Sequence, residues 1–294
     1  MHYERFLTFS VANLGSMSKI NTVSVNNSAN SNLYVIKIGG NVIDNSENLY
    51  NFLKDFTALE GFKILVHGGG KVATQLSETL GIEPKVVDGR RITDIETLRV
   101  VTMVYGGLIN KNIVAQLQRF GANAIGLTGA DGDFIRAKKR PVKTIDYGFV
   151  GDLDENSINP KNLKSLMDAG FTPVFCALTH DGEGQLLNTN ADTIASALAV
   201  ALSGLYNTTL IYCFEKKGVL KDINDEESLI SDIDLRHYEE LKTQQVIHSG
   251  MLPKLDNAFA AILSGVKGVI IGHSNDLGKL KNNEPFGTLL SRYE

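Results

Sequence analysis

Short apolar runs that end in glycine turns, each followed by a segment of helical period, constrain this chain more than any other feature. Residues 33–38 (LYVIKI) stop at Gly39-Gly40, and residues 63–67 (KILVH) stop at Gly68-Gly69-Gly70. Further runs of strand character occupy 122–127, 172–178, 208–213 and 267–271. Helical periodicity covers 47–59, 72–80, 94–120, 160–169, 191–203 and 252–263. This alternation predicts an α/β fold, a three-layer αβα sandwich around a central, mainly parallel sheet. Ligands of such folds sit at the carboxyl ends of strands, where these glycines fall. Thr93, with Glu96 three residues on, reads as a capping box for the long helix, and Asn190 as the N-cap of the Ala-rich one. Residues 134–139 and 145–150 read as a small side hairpin, and 221–231 as a surface loop.

Composition then removes function classes. The 294 residues suit one large domain or two moderate ones. Lys and Arg total 29 against 33 Asp and Glu, so the chain lacks the basic excess of a nucleic-acid binder. The greasiest helical stretch, 193–206, falls short of the roughly 20 residues that a bilayer span needs. Cys176 and Cys213 stand apart in apolar runs, without a CxxC pair, and read as reduced, buried thiols of a cytoplasmic protein. The six His show no metal-binding spacing. Residues 1–32 are set apart: a weakly apolar start, an alternative start at Met17, then an Asn/Ser-rich run that reads as flexible extension.

The turn at Gly68-Gly69-Gly70 follows a strand and opens a helix. Unpaired amides at such a place bind anions, and glycine lets a ligand approach the backbone. The same residues satisfy the dinucleotide pattern GxGxxA through Ala73, with Asp88 near the expected acidic position. No GxxxxGK[ST] occurs, which excludes a P-loop. A second glycine turn, Gly39-Gly40, works against the dinucleotide reading, because it places Lys37 just inside the end of an apolar strand. An inward lysine there is expensive to bury unpaired. It reads either as a cation for an anionic ligand between two glycine loops or, more plainly, as an edge-strand lysine.

Five segments carry a resemblance. They are 36–41 (IKIGGN), 65–71 (LVHGGGK), 88–93 (DGRRIT), 187–192 (LNTNAD) and 250–254 (GMLPK). In order and separation they resemble the amino-acid kinase superfamily, most closely its acetylglutamate kinase family, over most of 33–294. The resemblance implies the amino-acid kinase fold and transfer of the γ-phosphoryl group of ATP to the side-chain carboxylate of an N-acylglutamate. It implies that Lys37 and Lys254 flank the transferring group and that Asp192 holds both ammonium groups. It implies that the backbone of Gly39, Gly40 and Gly68 binds the phosphoryl group. Gly69, Gly70, Arg91 and Asn188 would bind the substrate, with Arg91 on its α-carboxylate. It further implies an acylglutamate-binding and dimerisation lobe over 33–207, an ATP lobe over 208–294, Mg²⁺ carried with ATP, and a homodimer.

The chain also departs from the family pattern. Glu215 and Gly218, in EKKG, occupy the turn where an Asp is common, and are the nucleotide-loop candidates. Ala130 stands where relatives often have Lys, and Arg90 where they have Leu. Arg90 raises the alternative that the acyl group ends in a carboxylate, as in N-succinylglutamate, with Arg90 as its reader. The chain ends soon after 287–290 (GTLL), and feedback inhibition by arginine is not expected.

Overall fold

A computed structural model describes residues 31–87, 89–247, 250–282 and 284–292. The extension up to residue 30 and Asp88 lie outside the described residues. Eight strands, in chain order β1 Asn32–Ile38, β2 Phe62–His67, β3 Ala124–Leu127, β4 Thr172–Cys176, β5 Asn207–Phe214, β6 Asp232–Asp234, β7 Gly268–His273 and β8 Thr288–Ser291, form one sheet. Its spatial order is β6-β8-β7-β5-β1-β2-β4-β3. Every neighbouring pair is parallel except β7–β8. Parallel strands need crossovers, and the helices supply them. These are α1 Gly40–Ile43, α2 Ser46–Ala58, α3 Gly70–Thr79, α4 Ile95–Val101, α5 Asn110–Arg119, α6 Pro160–Asp168, α7 Ala191–Ser203, α8 Leu235–Thr243 and α9 Leu252–Leu263.

Helices α6, α7 and α9 pack side by side on the sheet, while α2 and α5 pack against each other in the other layer. With helices over both faces, central strands must be apolar throughout. Leu33, Val35, Ile36, Ile38, Leu65 and Phe175 accordingly have no solvent exposure. Strand β1 lies between β5 and β2, with Lys37 opposite Tyr212 and Val66. Lys37 is therefore in a central strand, and the edge-strand reading is wrong.

Several local expectations need correction. Residues 94–120 are not one α-helix: a π-helical segment, Thr102–Ile109, separates α4 from α5 around Gly106-Gly107. Asp94, not Thr93, caps α4, accepting from the Thr97 amide at 2.8 Å. Thr93 is buried, and its hydroxyl serves the cleft described below. The run 172–178 breaks at Ala177, beyond which Leu178–His180 pairs with Leu186–Asn188. In the side hairpin Lys138–Lys139 pairs with Gly151–Asp152, further along than expected. Asn190 caps α7 as expected, accepting from the amides of Asp192 and Thr193. Cys176 and Cys213 are free and fully buried, and burial pushes both thiols up to about 12.

Candidate active site

Three segments far apart in sequence meet at the carboxyl end of β1. The first is the β1 end itself, which carries Lys37. The first turn of α7 brings Asp192, whose carboxylate lies 2.7 Å from the Lys37 Nζ. The first turn of α9 brings Lys254, half-buried, with its Nζ 3.8 Å from the centroid of the Phe214 ring. Phe214 ends β5, and Lys37 lies 5.6 Å from the same ring. Burial and the Lys37 charge pull the Lys254 ammonium below its ordinary pKa, and the Asp192 carboxylate opposes them. Two cations and one anion thus share one apolar-backed spot, with a surplus positive charge. Sequence reasoning found the three ionic groups and missed Phe214, whose only signal was its position at a strand end.

Two clefts open on either side. One, of about 280 Å³, is lined by Gly68, Gly69, Gly70, Arg90, Arg91, Tyr105, Arg140, Asn188 and the start of α7. Arg91 is fixed there by Nη2, which donates to the Gly70 carbonyl at 2.8 Å and to Thr74 Oγ1 at 2.7 Å. Its Nη1 is buried without a hydrogen-bond partner. Asn188 donates to Thr93 Oγ1 at 3.0 Å, which orients its amide at the cleft wall. Arg90 is exposed at the rim. The other cleft, of about 270 Å³, is lined by Gly39, Asn41, Phe214, Glu215, Gly218 and Lys254. Glu215 is the one acidic side chain among its lining residues. Gly40 opens α1, next to Asp44, which pairs with Lys71 at 3.4 Å.

The glycine turn after β2 is shaped from beneath. Gly69 has φ +156°, and a Cβ there would stand 2.3 Å from Ile109 Cδ1 and 3.0 Å from Tyr105 Cδ1. The π-helical segment therefore presses directly on this turn, and only glycine fits. His67, fully buried, holds the turn from the strand side. Its Nδ1 lies 2.8 Å from the Gly68 carbonyl and its Nε2 3.1 Å from Asn110 Nδ2. A carbonyl on one nitrogen and an amide donor on the other suit a neutral imidazole protonated at Nδ1. Burial lowers the His67 pKa to about 4, in keeping with that form. Among the described residues no cluster of His, Cys, Asp or Glu could hold a metal ion. No helix among them is long and apolar enough to cross a membrane.

Comparisons with known proteins fit this geometry. The amino acid kinase family model matches residues 32–273. Acetylglutamate kinase of Cytophaga hutchinsonii is 60% identical over 260 residues, covering 88% of this chain and 98% of that protein. The Phocaeicola vulgatus enzyme of the same name is 54% identical over 260 residues, with the same coverage. Among solved structures, smu.665 from Streptococcus mutans superposes with a TM-score of 0.69 at 28% identity, over 88% of this chain and 98% of that one.

Proposed function

Since the chain belongs to the amino acid kinase family, and to the acetylglutamate kinases within it, we propose that it works through the Lys37–Asp192–Lys254 constellation, transferring the γ-phosphoryl group of ATP to the side-chain carboxylate of N-acetyl-L-glutamate. The product is an acyl phosphate for amino-acid biosynthesis. The observation that carries the site assignment is the meeting of the two lysines and one aspartate between two clefts.

The acceptor carboxylate, with an ordinary pKa near 4.3, is ionised at neutral pH and needs no general base. One of its oxygens forms the new P–O bond in line with the bond that breaks to ADP. The difficulty is charge, since two anions approach. Lys37 and Lys254 offset the charge of the transferring group, and Asp192 orients both ammonium groups and limits their repulsion. The amides of Gly39, Gly40 and Gly68 receive phosphoryl oxygens. The cleft of Gly69, Gly70, Arg91 and Asn188 takes the acylglutamate, its α-carboxylate on the unpartnered Arg91 Nη1. The Glu215–Gly218 cleft takes the nucleotide. Mg²⁺ bound with ATP would offset the charge of the phosphates, and Glu215 is the lining residue that could contact it. The presence of Glu215 as the single lining acid suits that arrangement better than a protein-made metal cage. The acylglutamate cleft is built from residues of 33–207, and the nucleotide cleft mainly from 208–294, with Gly39 and Asn41 added from the first lobe.

The N-succinyl alternative is not favoured, because the relatives carry the acetyl name and Arg90 is exposed at the rim. A dinucleotide-binding role likewise leaves Lys37, Asp192 and Lys254 without work. The reduced, buried thiols support a cytoplasmic enzyme. The exposed side chains of Met103 and Leu108, on the π-helical segment, support a homodimer through this side of the molecule. Trapping the acyl phosphate with hydroxylamine tests the reaction. ATP-dependent hydroxamate from N-acetylglutamate is expected; none with that substrate would overturn it.

A further inference from the structure

Arg140 was no part of the sequence reading, yet it lines the same cleft as Arg91 and Asn188. Its loop is tied down by the side hairpin, where the Arg140 amide donates to the Val150 carbonyl at 2.8 Å. Asp152, on the paired strand, accepts from Arg140 Nε at 3.1 Å and also from Nη2. The ring of Tyr147 lies 5.2 Å from the guanidinium carbon. Three contacts therefore fix the plane of this guanidinium. The third nitrogen, Nη1, is buried and has no hydrogen-bond partner. A purely structural pair would leave that nitrogen in water, because a buried unpaired donor is costly. Arg91 Nη1 has the same character in the same cleft.

The substrate class has three oxygen-bearing groups. On the functional reading above, on which this inference rests, the side-chain carboxylate faces Lys37 and Lys254, and the α-carboxylate faces Arg91. For the carbonyl oxygen of the N-acyl group, Arg140 Nη1 is the other guanidinium nitrogen of this cleft that is buried without a partner, alongside the Asn188 amide. Asp152 already offsets the Arg140 charge, so what Nη1 presents is a fixed N–H on a neutralised pair. That suits a neutral carbonyl acceptor better than another carboxylate. We infer that Arg140, held by Asp152, donates from Nη1 to the acyl carbonyl oxygen and so selects acylated over free glutamate.

Steady-state rates at saturating ATP test this, with N-acetylglutamate, N-succinylglutamate and unacylated glutamate as acceptors. The proteins compared are the wild type, Arg140→Leu, Arg140→Lys and Asp152→Asn. Arg140→Leu should raise the KM for N-acetylglutamate about 10- to 100-fold, the loss of one charge-assisted hydrogen bond. The KM for ATP and the small kcat/KM for free glutamate should not change, because neither involves the acyl group. Arg140→Lys should recover part of the loss, and Asp152→Asn should show a smaller one. A parallel fall with free glutamate would make Arg140 merely structural and overturn the inference. A larger loss with N-succinylglutamate than with N-acetylglutamate would overturn it too, since the acyl terminus would then be what Arg140 reads. If Arg140→Leu fails to fold, Arg140→Gln replaces it, with the same expected direction. Absent turnover of N-acetylglutamate by the wild type would sink the functional reading itself. Normal wild-type turnover with an unaffected Arg140→Leu sinks this inference alone.

Discussion

Replacing Asp192 by Asn removes one negative charge from between two ammonium groups while keeping the shape of the side chain. At the observed 2.7 Å from Lys37, Coulomb's law with an effective dielectric of about 20 gives a gross attraction of roughly 6 kcal/mol. Desolvation and the 29% exposure of the Asp192 side chain offset much of that. A net loss of about 1–3 kcal/mol in folding stability remains, in the range of a charged hydrogen bond. The effect on turnover is larger, because Lys37 and Lys254 then repel each other and lose their common anchor. A fall in kcat of roughly 10²–10³ is expected, the scale of one lost electrostatic contact at a transition state. A second signature accompanies it. The Asp192 carboxylate raises the Lys254 pKa against burial, so its removal lets that pKa drop further. The alkaline limb of the kcat–pH profile should therefore move to lower pH. The assay is hydroxamate formation across about pH 6–11, which spans the ordinary lysine titration, with urea unfolding alongside. A folded Asp192→Asn enzyme with wild-type kcat and an unmoved alkaline limb would refute the reasoning.

Two further outcomes can be checked. Arg91→Lys keeps the charge and loses the planar fork that bridges Gly70, Thr74 and the substrate, so the KM for N-acetylglutamate should rise while that for ATP holds; a selective loss of ATP affinity would move Arg91 out of the acceptor cleft. His67 is neutral in the folded protein with a pKa lowered to about 4, against 6.5 when unfolded. Its contribution is complete above pH 6.5 and is lost as pH falls toward 4, amounting to about 3 kcal/mol over that window. Urea unfolding as a function of pH reads this, and His67→Gln should flatten that part of the slope; an unaltered slope in the variant would show that His67 does not titrate there.

Much of the site was legible because its chemistry is local in sequence. Lys37 beside Gly39-Gly40, Arg91 in DGRRIT and Lys254 in GMLPK each sit in a short segment whose residue types announce anion binding. Their meeting follows from parallel strands that point their carboxyl ends the same way. What was not legible depends on register or on distant packing. Arg140 lies in a KKR run that looks like solvated surface, and only its pairing to Asp152 across a short hairpin turns it to the cleft. The π-helical segment of eight residues has a helical period in its sequence, and the packing of its Tyr105 and Ile109 under the Gly69 turn is a distant contact that no local pattern shows. The strands β6 and β8 and helix α8 were not anticipated. The two strands have only three and four residues, β6 at the sheet edge and β8 next to it, and their pairing, more than their apolar content, defines them.

The central claim is that two lysines oriented by one aspartate carry the chemistry of a direct phosphoryl transfer. Single-turnover quench of radiolabelled ATP with saturating N-acetylglutamate measures that step apart from binding and release. The wild type should form the acyl phosphate in one phase with no labelled protein. Lys37→Ala and Lys254→Ala should each slow the phase by roughly 10²–10³ while dissociation constants for both substrates stay near wild type. A wild-type rate in either variant, a defect confined to binding, or label on the protein would contradict the account.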